Sequence, residues 1–351
     1  GAGRSKPREN PIYWTCTSPM WVQALIPVGT GKSIRRSKPI LWSREAKLNK
    51  PVSIGVHVPS VSVSGLADGA AYAAYFKLVE DVGLDAVWVE DRIFHPAHLA
   101  DSLTLLTWAA AATTRIQLGT AVTVLNLRHA PVLARQIATL QHLSGGRVTL
   151  GVSIGGRPEE YQALGVPMVR RVGVFRESLG VLRRLLTGEV VNIDGTYFSL
   201  TDAIVRPAAD IPILIGGIAE NAIERAGELG DGWIMGPFGG VEEFRQGWRI
   251  AQAAAKAANK NLEDLTAGRL IYIAIDDNKE KAREEITAFL HGYYGPHFGM
   301  EKHAIYGSSS EVAEHLKALA EAGLTHFMLG LPSLNVTQLQ RLAEEIAPVL
   351  R

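Results

Sequence analysis

"VTLGVSIGGRPEEYQALGVP", residues 148–167, opens on an apolar run of strand type and closes on an acidic, helix-like segment. Between them stands Gly155-Gly156, bare backbone where a buried strand would leave its sheet. The same order, apolar strand, short polar or glycine-bearing turn, helix, repeats on both sides. Upstream, the patterning predicts strands at 52–58, 85–90 and 116–124, and helices at 68–83, 99–113 and 131–146. Downstream it predicts strands at 211–217, 231–236, 266–275 and 325–331. Helices are predicted at 171–188, 219–230, 241–259, 278–294, 309–323 and 335–350.

Strands that read as continuous apolar runs are covered on both faces, and crossover helices make them parallel. Eight such units predict an α/β fold closed into a (β/α)8 TIM barrel over residues 51–351, with an open doubly wound sheet as the alternative. One segment departs from the alternation. "EVVNIDGTYFSL" (189–200) alternates around Asp194-Gly195, which predicts a β-hairpin excursion.

The chain has 351 residues, 47% of them hydrophobic, enough for a large core. No run reaches the length of a membrane span and no secretory signal is evident. The single cysteine, Cys16, excludes an internal disulfide framework and a Cys-rich zinc site. The expectation is a soluble, cytoplasmic protein. Charge separates residues 1–50 from the rest. They hold ten Lys/Arg against two Asp/Glu, while the remainder holds 26 against 33. They also lack periodicity and carry five prolines. They read as an irregular basic N-terminal extension, with an arm ordered across the barrel or a nucleic-acid arm as competitors. Basic and aromatic residues do not interleave there, so no nucleic-acid partner is expected. "PVGTGKS" (27–33) imitates the end of a phosphate-binding P-loop. The glycine that loop needs five positions earlier is Ile26, which argues against nucleotide hydrolysis.

A barrel of this kind carries its site at the C-terminal ends of the strands. The expected rim is therefore His57, Glu90-Asp91-Arg92, Ala121 to Thr123, Gly155 to Glu160, Gly216-Gly217-Ile218, Gly236-Pro237, Ile275-Asp276 and Gly330-Leu331. Glycine pairs let a flat or anionic ligand approach the backbone, although tight turns also use them. "PILIGGIAENA" (212–222) has the layout of an anion cradle, a strand ending in two glycines before a helix N-terminus. His57 reads equally as a core or a site histidine. His291, His297 and His303 fit no zinc spacing, so no metal is expected.

Taken together, "DAVWVED" (85–91), "RIQLGTAVTV" (115–124), "LARQIATLQHLSGGRVTLGVSIG" (133–155), "EEYQALGVP" (159–167), "EVVNIDGTYFSL", "PILIGG" (212–217) and "DGW" (231–233) resemble the bacterial-luciferase-like superfamily of flavin- and deazaflavin-dependent oxidoreductases. The resemblance runs from about Val52 to the C-terminus. It implies a cofactor ring over the strand ends, against Ala121, Val122 and Thr123, with a cis peptide at Ala121-Val122. It implies a phosphate near Gly216, Gly217 and Ile218. Cofactor contacts would also come from Gly155, Glu159, Tyr161 and Gly236. Two departures stand out. Relatives often follow the strand-two acid with histidine, where this chain has Arg92. Many also place a serine after the glycine pair, where Ile218-Ala219 stand here.

The expected function is hydride transfer between the deazaflavin coenzyme F420 and a small organic substrate, with Asp91, Arg92 and His57 as candidate catalytic residues. One alternative is an FMN-dependent monooxygenase using oxygen and served by a separate flavin reductase. Another is a non-catalytic cofactor-binding barrel. The family further implies a homo-oligomer, a dimer.

Overall fold

The structure, a computed structural model, describes residues 52–351; the expected extension at 1–50 and its P-loop-like stretch lie outside the described residues. Eight parallel strands form the barrel: β1 (Ser53–His57), β2 (Ala86–Val89), β3 (Gln117–Thr120), β4 (Val148–Ser153), β5 (Ile213–Gly216), β6 (Gly232–Met235), β7 (Thr266–Ile275) and β8 (His326–Gly330). Each pairs with the next, β8 pairs with β1, and β4 with β5 completes the ring. The closed barrel is the predicted fold.

The helices begin where the sequence supplies caps. Asp68 accepts from the Ala71 N–H ahead of Gly69–Asp81, and Asp101 accepts from the Thr104 N–H ahead of Ser102–Ala112. Gly145 closes Ala130–Ser144 in the left-handed region, φ 71°. The hairpin is present as Val191–Asp194 against Ser199–Ala203, antiparallel. Glu177 straps its turn to the helix Arg171–Leu186 by accepting the N–H groups of Thr196, Tyr197 and Phe198.

Strand alternation decides what the barrel contains. In β2, Ala86 and Trp88 point inward and Val87 and Val89 pack outward against helices. Trp88, Leu214, Ile234, Leu270, Tyr272 and Met328 fill the interior. An added Cβ at Gly119 would stand 2.2 Å from the Trp88 ring, so glycine there is required by the indole.

Two strands depart from regular pairing at their ends, the first as the resemblance implied. β3 breaks at Ala121-Val122, whose peptide bond is cis, and resumes at Thr123–Val124 beside Val152–Ser153. β7 outruns the barrel. It leaves β8 at Tyr272, and Ile273–Ile275 pair instead with Ile305–Gly307. The rim of this strand is therefore Tyr272 and not Ile275-Asp276 as the sequence suggested; Asp276 ion-pairs with exposed Lys281.

Candidate active site

Above the strand ends lies a cavity of about 480 Å³, within the range of small-molecule and cofactor sites. Half of its floor is built of small residues: Ala121, Ser153, Gly216 and Gly236. The other half is large and polar: Glu90 and Tyr272, with Tyr293 and Tyr294 arriving from the helix Lys279–Tyr294. Ala121, Ser153, Gly216, Gly236, Glu90 and Tyr272 each continue the inward phase of their strand.

The polar half is one connected group. His57, at the end of β1, is 2% exposed and its Nε2 lies 2.5 Å from Glu90 Oε2. The two atoms are close enough for an ion pair but not aligned for a hydrogen bond. Glu90 Oε1 accepts from Ser60 Oγ at 2.5 Å and from Tyr293 OH at 3.0 Å. Burial pushes the Glu90 carboxyl up, but the neighbouring His57 charge and the hydrogen bond from Ser60 outweigh it and hold the group below its usual range. Burial, reinforced by Glu90 and by one another, raises the hydroxyls of Tyr293 and Tyr272 well above the ordinary tyrosine value. They are thus permanent hydrogen-bond donors beside an ionised carboxylate. Tyr272 and Tyr294 share a hydrogen bond of 2.9 Å.

Asp91 continues the outward phase of β2. Arg128 grips it through Nε at 2.8 Å and Nη2 at 2.5 Å, and Ser102 Oγ donates at 3.3 Å. It anchors the strand end to neighbouring helices and stands outside the 480 Å³ cavity. Arg92, freed from Asp91 by that pairing, lies 5.8 Å from the centre of the Tyr293 ring, and its buried Nε has no partner among the described residues. It borders a side recess of about 220 Å³, shared with Arg157, Glu160 and Tyr294, that opens off the Glu90 side.

The β4 loop separates two adjacent acids. Glu159 is exposed and faces Arg157 at 3.6 Å, away from the main cavity. Glu160 is 4% exposed and accepts from the N–H groups of Ile93 and Phe94, fastening the β2 loop. Tyr161 is buried and donates to the Ile154 carbonyl at 2.5 Å, a strut beneath the glycine pair. Gly155 has φ 78°, and a Cβ there would meet Val124 at 2.5 Å. The opening stretch needs bare backbone both for its turn and for its packing. Thr123 is wholly buried.

At β5 the cradle is displaced by two residues from the glycine pair. The Gly217 N–H is spent on the Ile234 carbonyl at 3.2 Å, and a Cβ at Gly217 would stand 2.6 Å from that of Ala222. Donors for a ligand begin at Ile218 and continue into the first turn of the helix Glu220–Leu229. Arg171 and Arg225, which sequence reasoning missed, complete this wall. Glu90 was visible on the rim but passed over for Asp91; the signal that separates them is the inward phase of Ala86, Trp88 and Glu90. Tyr293 and Tyr294 carried no such signal, since they reach the cavity from a helix.

The fold is a (β/α)8 barrel whose cavity at the strand C-termini sets small residues beside a buried acid–tyrosine group. The luciferase-like monooxygenase model matches residues 53–297, and the chain belongs to that family. The F420-dependent glucose-6-phosphate dehydrogenase of Beutenbergia cavernae is 32% identical over 313 residues, 79% of this chain and 92% of that protein. The 5,10-methylenetetrahydromethanopterin reductase of Methanolobus tindarius is 30% identical over 237 residues, 66% of this chain and 71% of that protein. Among solved structures, an F420-dependent secondary alcohol dehydrogenase bound to an F420–acetone adduct superposes with a TM-score of 0.75. It is 23% identical and covers 86% of this chain and 100% of its own. A type II Baeyer–Villiger monooxygenase from Pseudomonas putida in complex with FMN gives a TM-score of 0.71 at 18% identity, covering 85% and 98%.

Proposed function

We propose that the protein is an F420-dependent oxidoreductase that moves a hydride between the deazaflavin and a small organic substrate. The observation that carries this reading is the pairing of an ionised, buried Glu90 with the cavity of small residues on the opposite half of the barrel mouth. The relatives named above that use F420 support the same cofactor. The residues present fit such a group: Gly216, Gly236, Ala121 and Ser153 leave room for a flat ring, and Val122 forms its backing wall.

Bound there, the deazaflavin supplies a hydride acceptor or donor. The protein supplies orientation, dryness and proton handling. When a substrate alcohol is oxidised, its hydroxyl proton must leave as the hydride departs. Glu90 accepts that proton, with His57 behind it to balance its charge and Tyr293 to fix its orientation. In the reverse direction protonated Glu90 returns it to the carbonyl oxygen. Arg92, in the recess beyond Glu90, contacts an anionic or polar group of the substrate. Asp91 positions the strand end through Arg128.

The test is thermal unfolding with F420 and, separately, with FMN, followed by spectroscopic F420 reduction with a panel of secondary alcohols and sugar phosphates. A ligand at 100 times its Kd adds about 2.7 kcal/mol to stability. Protection by F420 and reduction of F420 by at least one alcohol are expected. Protection by FMN alone, with substrate oxygenation once a flavin reductase is added, would replace this reading by the monooxygenase one.

A further inference from the structure

Carboxylates border the side recess that opens off Glu90, and each is already committed. Glu90 is held by His57, Ser60 and Tyr293. Asp91 is gripped by Arg128, and Glu160 accepts the N–H groups of Ile93 and Phe94. The arginines of the recess, Arg92 and Arg157, are left over. The buried Nε of Arg92 is without a hydrogen-bond partner among the described residues. Arg157 faces Glu159 at 3.6 Å, too long for a hydrogen bond, and 38% of its side chain stays exposed.

The loop that carries Arg92 is pinned in place. Glu160 takes the N–H groups of the next two residues. His95 Nδ1 accepts the Ala97 N–H at 3.0 Å, so its Nε2 carries the proton and donates to the Tyr293 carbonyl at 2.9 Å. Burial, and then the charges of Arg92 and Arg157, hold the His95 imidazole below its ordinary value. Both guanidinium groups therefore stand close to this one ring. They are positioned, desolvated in part, and spent on nothing within the fold.

Size and charge limit what fits them. A recess of about 220 Å³, at ~30 Å³ for each water displaced, holds about seven non-hydrogen atoms. Glu90 borders both the recess and the main cavity, so a ligand that small can reach the arginines and Glu90 together. Glu90 and Glu160 make the walls partly negative, which favours a ligand with one negative charge over a phosphate ester with two. The planar fork of arginine matches a carboxylate.

We propose that the recess is a carboxylate pocket and that the substrate is a short hydroxy acid, its carboxylate on Arg92 and Arg157 and its hydroxyl at Glu90. The substrate class rests on the F420 reading; the carboxylate pocket does not. In the oxidation the carbinol C–H bond breaks and its hydrogen leaves with the electron pair, as hydride, to the deazaflavin. The O–H bond breaks and its proton goes to Glu90. The substrate loses two electrons and becomes an oxo acid.

The first test is steady-state F420 reduction by lactate, 2-hydroxybutyrate, glycerol 1-phosphate and 2-propanol, which is lactate with a methyl group in place of the carboxylate. Wild type, Arg92→Met, Arg92→Lys and Arg157→Gln are compared. In the wild type, kcat/KM for the hydroxy acids should exceed that for 2-propanol at least about 100-fold, the worth of two charged hydrogen-bonding groups. Arg92→Met should cut that ratio about 10- to 100-fold, chiefly through KM for the acid. Arg92→Lys should recover part of the loss, and Arg157→Gln should lose less. Equal kcat/KM for acid and neutral alcohol in the wild type overturns the assignment. So does a ratio that neither Arg92→Met nor Arg157→Gln moves, or faster turnover of glycerol 1-phosphate than of either hydroxy acid.

The second test needs no F420. Oxamate, an unreactive carboxylate shaped like the oxo acid from lactate, should raise the melting temperature of the wild type and not of Arg92→Met. Equal protection of both proteins, or of neither, overturns the pocket. Should Arg92→Met fail to fold, Arg157→Gln, whose side chain is part-exposed, carries both comparisons. Arg92-dependent protection by oxamate in a protein that reduces F420 with no alcohol supports the pocket and overturns the cofactor reading. F420 reduction by 2-propanol alone, without oxamate protection, supports the cofactor reading and overturns the substrate class.

Discussion

Two arginines are buried at opposite ends of this barrel, and their surroundings differ completely. Arg147, where the chain enters β4, is 7% exposed and has all five N–H groups engaged. Nε donates to the Ser144 carbonyl, Nη1 to Thr113 Oγ1 and the Ile116 carbonyl, and Nη2 to the carbonyls of Ala110 and Thr113. Arg225, at the other end, is equally buried and makes no hydrogen bond to a described residue. One guanidinium completes the fold; the other is held ready for something outside it. The lesson concerns the two ends as a whole. At the strand N-termini polar groups close on one another, while at the C-termini Arg225 and Arg92 keep donors unpaired.

The comparison predicts that substitutions at the two ends damage different quantities. The largest effect belongs to Glu90→Gln, which should lower kcat about 10²- to 10⁴-fold, the span of a lost general base. Its shape and its contacts with Ser60 and Tyr293 survive, so KM should change little. Steady-state assays on folded protein would show this, and a variant with full turnover would move the base elsewhere. Next comes Arg147→Met. It strands four buried carbonyls and a hydroxyl, and should cost about 3–5 kcal/mol in urea unfolding. Turnover per folded molecule should be unchanged.

Arg225→Met sharpens the contrast because its sign is opposite. In ligand-free protein it removes an uncompensated charge, so stability should stay level or rise by up to about 1 kcal/mol. A fall as large as that of Arg147→Met would erase the distinction between the two ends. The smallest effect is a pH dependence. The Glu90 carboxyl is held below its ordinary value of 4.5 in the folded protein. Between the folded and unfolded pKa values the unfolded chain binds more protons, so stability rises with pH through that window and is flat above it. Its contribution is fully present above about pH 4.5 and is lost as pH falls through the folded value. Unfolding curves below pH 5 for the wild type and Glu90→Gln would reveal the difference, and identical slopes would deny Glu90 its depressed pKa.

Much of the site was legible along the chain. Rim positions such as Gly216, Gly236 and Ala121 followed from strand ends, and the bare backbone at Gly155 announced a turn that a side chain would strain. Reading the phase of β2 one residue further would also have ranked Glu90 above Asp91. Other parts had no local signal. Arg128 lies 37 residues from Asp91 and Tyr293 lies 203 from Glu90, and no pattern in either segment names its partner.

The sequence by itself determined the eight strand–helix units, their parallel closure into a barrel, the hairpin and the end of the barrel that carries the chemistry. These depend on periodicity and turn residues, which act over a few positions. Only the tertiary structure decided that Asp91 is satisfied and Glu90 is not buried alone. It also decided that Gly217 spends its N–H on β6, that β7 ends its barrel duty at Tyr272, and that Arg225 has no hydrogen-bonding partner among the described residues. The reason is physical: a charge or donor becomes functional through what its neighbours leave unpaired, and those neighbours arrive from distant segments once the barrel closes.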